Sequence, residues 1–135
     1  MTNGPQSKEQ KRRRGILTVS GFAHFVHDGF TDTIYVLLPL WASGFGLSHA
    51  QVGLLKSCMS VGLAGLQVPA GYLAERYGER TILILGTVLT GLAFLIMALA
   101  TGIMGLAVLL FIVGVGASTQ HPLASALVSK GFENS

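Results

Sequence analysis

The sequence predicts an all-α integral membrane protein with four transmembrane helices, and three observations carry that prediction. Half of the 135 residues are apolar and only 11% are charged, where soluble domains carry about 25%; the mean hydropathy is +0.60. The apolar residues gather into four stretches, each near the ~20 residues that a helix needs to cross a bilayer. The basic residues fall on one side of those stretches. Lys8, Lys11, Arg12, Arg13 and Arg14 precede the first, Arg76 and Arg80 separate the second from the third, and Lys130 follows the fourth. The single cysteine, Cys58, excludes an intramolecular disulfide framework.

Residues 1–15 form a basic tail. Its five Lys and Arg against Glu9 give +4, so with +3 for the whole chain the remainder sums to −1. The tail has no interleaved aromatics and runs straight into an apolar stretch, which makes it a topological signal that holds the N-terminus in the cytoplasm. No nucleic-acid partner is expected. The first span covers about 16–41 and is followed by a short turn, 43–49, without Lys or Arg. A cleaved signal peptide is excluded, because His24, His27, Asp28 and Asp32 interrupt the apolar region and it continues too long. The second span, about 50–73, ends at a charged loop, 75–80. A third covers about 81–101 and breaks at Gly102. The fourth covers about 103–129, bent near its end by Pro122, which removes a backbone hydrogen bond. Residues 130–135 belong to a cytoplasmic loop. Lys56 alone departs from the one-sided charge pattern, either snorkelling to the outer interface or facing a cavity where it attracts an anionic substrate.

The first span carries the chemistry. At about 100° per residue, His24, His27, Asp28, Thr31, Asp32 and Tyr35 share an arc of roughly 140°. A carboxylate at the bilayer centre costs about 2.5–3.5 kcal/mol on insertion scales, so two are tolerable only on a face that looks into protein or a wet cavity. The functional reading is a proton or substrate site, since carboxylates in such cavities and histidine can exchange protons near neutral pH. Asp28 is the first choice as proton carrier, with His24 one turn away and Asp32 nearer the outer mouth. The alternative is a structural hydrogen-bond cluster. Small-residue stripes mark the second span (Gly53, Ser57, Ser60, Ala64, Gln67, Gly71) and the fourth (Gly114, Ser118, His121, Ser125); small residues let helices approach closely in lipid. Gln67 bonds to a neighbouring helix in this reading, and His121 is either a substrate contact or a helix–helix hydrogen bond. No group has metal-ligand spacing, no cofactor is implied, and no nucleophile has a partnered base, so an enzyme is not expected.

The segment Gly71-Tyr-Leu-Ala-Glu75-Arg76-Tyr-Gly78-Glu79-Arg80 resembles the signature loop between helices two and three of the major facilitator superfamily. Glu75 stands where Asp is usual, and Glu79 where a basic residue is usual. His24-Phe-Val-His-Asp28, Leu38-Pro39-Leu40, Phe45-Gly-Leu-Ser48, Gln51-Val-Gly53, Gln67-Val-Pro-Ala-Gly71 and Gly114-Val-Gly-Ala-Ser118, leading to His121-Pro122 and Ser125, are together similar to the fosmidomycin-resistance-type exporters. Many drug exporters of the superfamily carry an arginine four residues before the glycine aligned with Gly114; here that position is Leu110. The resemblance implies the N-terminal part of a twelve-helix fold in the inner membrane. It implies a secondary transporter, a proton-coupled exporter of small molecules or drugs in which two halves rock about a central site. The implied partners are the lipid bilayer, a small-molecule substrate, protons and the remaining helices of a full transporter. His24, His27, Asp28, Asp32, Gln67 and His121 would line its cavity, and Gly71, Glu75, Arg76, Gly78 and Arg80 would form its gating loop. Two alternatives stand beside it: a small four-helix exporter working as a dimer, and a non-transporting remnant or scaffold.

Overall fold

The computed structural model describes residues 5–133 and, within them, all side chains but those of 5–8, 23, 121, 127 and 130–133. Five helices follow one another: α1 Pro5–Phe45, α2 His49–Tyr77, α3 Glu79–Met97, α4 Ile103–Ala117 and α5 Gln120–Glu133. Three helical stretches are long and apolar enough to cross a membrane: His49–Tyr77, Glu79–Met97 and Ile103–Ala126, the last running through the α4–α5 junction. α1 is the longest helix and is not among the three.

α1 differs from expectation at its start. The basic segment continues the helix instead of trailing as a separate tail, so 41 residues form a rod of about 60 Å. Glu9 accepts from Arg12 Nη2 at 3.0 Å and from Arg13 Nε at 3.1 Å, one turn away on the same face. That carboxylate holds the Arg12 guanidinium above its ordinary pKa.

The next elements are set by their caps. Ser48 opens α2 with a capping box: its Oγ accepts from Gln51 N at 3.3 Å, and Ser48 N donates to Gln51 Oε1 at 2.8 Å. α2 then runs through most of the charged loop expected at 75–80. The only break is Gly78, whose N–H bonds Ala74 O at 2.9 Å and whose φ of 91° suits glycine; it ends α2 and starts α3. The fourth predicted span is divided by a turn at 118–119. Pro122 has no N–H for the Ser118 carbonyl, so the α-helical ladder lapses there, and Thr119 N bonds Gly116 O instead.

α4 sits at the centre of the bundle. Gly62 of α2 packs against the backbone of Phe111 and Val115, and Gly114 against that of Met59 and Leu63. On the other side, Gly86 of α3 meets Thr119 and Gly116, and Gly116 meets Thr90. A Cβ at any of these four glycines would strike backbone or a hydroxyl, so the absence of a side chain sets the interhelical distance. Ile34, Leu38, Leu55, Met59, Ala93, Met97, Leu106, Leu110 and Val113 fill the core around these crossings. The α2 stripe expected to make the contact is turned away: Gly53, Ser57, Ser60 and Ala64 are exposed, and Gln67 and Gly71 half-buried. Gly62 does that work, while Gly114 was correctly placed.

Candidate functional site

The polar arc of α1 lies against α2. Asp28, Thr31, Asp32 and Tyr35 from α1 and Lys56 from α2 line a cavity of about 310 Å³, closed below by Met59. The helical repeat puts the α1 groups on one face, and Ile34 and Leu38, buried in the core, fix its rotation. Thr31 Oγ1 donates to the carbonyls of Asp28 at 3.0 Å and His27 at 3.2 Å, so it serves its own helix and leaves the carboxylates to the cavity. Lys56 lines this cavity, and its Nζ lies 4.3 Å from the centroid of the Tyr35 ring, a cation–π contact. The charge inventory is therefore two carboxylates on one wall and an ammonium on the other.

The remaining predicted residues separate. His24 Nε2 lies 3.3 Å from Asp28 Oδ2, but His24 lines a different cleft, between α1 and α5. His27 is buried and lines both the α1–α2 cavity and a third, more apolar one of about 410 Å³ between α1 and α3. Gln67 is half-buried on α2, outside the lining of all three. His121 belongs to α5, and its side chain lies outside the described residues. Glu75 and Arg76 are exposed in the last turn of α2, and Arg80 is exposed in the first turn of α3. Arg76 stands 5.6 Å from the Tyr77 ring. Among the described residues no group of three His, Cys, Asp or Glu is placed to hold a metal ion.

Two polar residues were not singled out from the sequence. Gln120 Nε2 donates to Thr87 Oγ1 at 2.6 Å, joining α5 to α3 at the edge of the third cavity. Gln120 opens α5 directly after the break, and in the sequence it falls inside the continuous fourth span. The signal that could have found it is the pairing of an amide with a hydroxyl on an otherwise apolar helix. Leu110, at the position where many exporters carry arginine, is fully buried in the core.

Bundled apolar helices of this length define an integral membrane protein. A family model described as Major Facilitator Superfamily matches residues 20–135, and the chain belongs to that superfamily of multi-pass membrane transporters. It is 30% identical over 115 residues to a probable sulfoacetate transporter, SauU, of Cupriavidus necator, covering 85% of this chain and 27% of that protein. It is 28% identical over 111 residues to the fosmidomycin resistance protein of Escherichia coli, covering 82% and 27%. With the 4-hydroxybenzoate transporter PcaK of Pseudomonas aeruginosa it shares 30% identity over 100 residues, covering 74% and 22%. The chain thus spans about a quarter of the length of these curated relatives. No solved structure matches it. The relatives are transporters rather than enzymes.

Proposed function

We propose that this chain forms the first four membrane spans, α1 among them, of a proton-coupled secondary transporter that exports small molecules by alternating access, with the N-terminus on the cytoplasmic side of the inner membrane. The observation that carries the reading is the cavity in which Asp28 and Asp32 of α1 face Lys56 of α2. Carboxylates within an apolar membrane span are expensive unless they bind protons or cargo. Protonation of Asp28 neutralises its charge in the cavity and favours one orientation of the transporter, and cargo competes with that proton. Gly71, Glu75, Arg76, Gly78 and Arg80 form the gate contact at the cytoplasmic end, and the remaining partners are further helices that complete the transport path. The fosmidomycin resistance relative supports export as the direction.

Lys56 favours a second reading. Two relatives are named for organic acids, sulfoacetate and 4-hydroxybenzoate, and an acid group suits an ammonium held over Tyr35. Ionised Asp28 and Asp32 would oppose that acid, so it would bind together with protons and be drawn inward by their gradient.

Accumulation of fosmidomycin, sulfoacetate and 4-hydroxybenzoate in cells making the native protein tests both. Export predicts that a protonophore raises the intracellular level of a carried compound; uptake predicts that it lowers it. In either case Asp28→Asn removes the proton-driven difference while the protein still reaches the membrane. A difference that survives both the protonophore and Asp28→Asn discards proton coupling at Asp28.

A further inference from the structure

Two clefts open along α1, and they share no lining residue. One, of about 510 Å³, lies towards the N-terminal end between α1 and α5, with Ser20 and His24 on one wall and Ser125 and Ser129 on the other. The second is the α1–α2 cavity of Asp28, Asp32 and Lys56. His24 lines only the first and Asp28 only the second, yet His24 Nε2 and Asp28 Oδ2 are 3.3 Å apart. The two side chains keep 41% and 44% exposure. Each is open to its own cleft while it touches the other.

We propose that the His24–Asp28 pair is the partition between these clefts and hands protons across it. The proposal rests on the reading of α1 as the proton-carrying helix and adds the route. A proton arriving from the second cleft forms the O–H bond of the Asp28 carboxylic acid. That bond breaks as the lone pair of His24 Nε2 takes the proton, leaving a carboxylate beside an imidazolium. The imidazolium loses the same proton to water in the first cleft, where the hydroxyls of Ser20 and Ser125 can hold that water, and the neutral ring is restored. No oxidant, cofactor or second carrier is needed, and the sequence runs equally well in reverse. The i, i+4 spacing makes the relay possible, since it places both groups on one face one turn apart.

The neighbouring groups fit these roles. Around Asp28 stand His24, His27, Asp32 and Tyr35 of its own helix and Lys56 of α2. His27 is buried and connects with the α1–α3 cavity, not with the first cleft. Asp32 lines the second cleft alone. His24 is therefore the titratable group that both touches Asp28 and reaches the other side.

The test needs no cargo, so it can fail while transport stands, and transport can fail while it holds. In a Cys58→Ser background, His24→Cys and Asp28→Cys are exposed to a membrane-impermeant thiol reagent from each side of membrane vesicles, whose sidedness is scored by protease access to residues 1–15. His24→Cys should react from the side of the N-terminus and Asp28→Cys from the opposite side. Reaction of both from one side only, or of neither, overturns the partition. The relay is read separately by infrared difference spectroscopy of the reconstituted chain, with the Asp28 carboxylic band assigned by its loss in Asp28→Asn. An alkaline step on the N-terminal side should remove that band in the native chain and leave it in His24→Gln; an alkaline step on the far side should remove it in both. Equal responses of the native chain and His24→Gln on the N-terminal side, or no response in the native chain, would overturn it.

Discussion

Gln120 and Thr87 show how much one polar contact does in an apolar bundle. The amide is buried, and its 2.6 Å bond to Thr87 Oγ1 ties the helix after the break to α3. Interhelical hydrogen bonds in membranes average about 0.6 kcal/mol and reach about 1.7 kcal/mol. A double-mutant cycle on Gln120→Leu and Thr87→Val, followed by unfolding in mixed micelles, should return a coupling within that range. At the same scale Leu110 bears on mechanism. It is fully buried among core residues, so Leu110→Arg should cost at least about 3 kcal/mol and deplete the folded protein in membranes. The charges that line the α1–α2 cavity stand on α1 and at Lys56. Asp28 and Asp32 were legible in the sequence because charge inside an apolar stretch has few innocent explanations. Lys56 was not, because a lysine seven residues into α2 reaches either interface or cavity, and the Tyr35 ring that decides between them is supplied by another helix.

Among the elements, α4 is the keystone. Gly62 and Gly114 interlock α2 with α4, and Gly86 and Gly116 interlock α3 with α4. Gly62→Ala and Gly114→Ala should each destabilise the bundle by about 1–3 kcal/mol, the range for overpacking a tight contact. Gly53→Ala, with open space around it, should have little effect; detergent-resistant folded protein on heating measures all three. This difference explains why the α2 face was misjudged. The sequence of α2 holds small residues on more than one side, and periodicity reports that they share a face without reporting which face meets a partner. The Gly114 contact was legible because α4 gathers its small residues into one run, Gly114-Val-Gly-Ala-Ser118, at the crossing. The break at 118–119 was partly so: Pro122 announces a lost bond, but the carbonyl it orphans belongs to Ser118, four residues earlier, and there the helix stops.

At the scale of the whole molecule the packing is uneven. α2, α3 and α4 form a tight unit, while α1 leaves Phe22, Phe25, Phe30, Val36 and Leu40 exposed. Lipid covers some of this surface, and further helices are expected on the rest, in keeping with relatives about three times as long. An antibody against residues 1–15 should therefore detect, in native membranes, a polypeptide several times heavier than 14.2 kDa. A stable band at 14.2 kDa that cross-links to twice that mass would instead support the small dimeric exporter. The membrane class was legible from composition alone, since 11% charge leaves no soluble surface. The arrangement of clefts around α1 was not, because it depends on how four other helices meet it.

The length of α1 has a mechanical consequence. Between Glu9 and Leu38 the helix is unbroken, so Arg12 and Asp28 move as points on one stiff lever, about 24 Å apart. A tilt of about 10° pivoting at Asp28 sweeps the arginine end through about 4 Å, roughly half a Debye length at physiological salt. In the proposed mechanism, neutralising Asp28 would thereby become a displacement of positive charge at the far end of the helix, where the potential of anionic lipids would act on it.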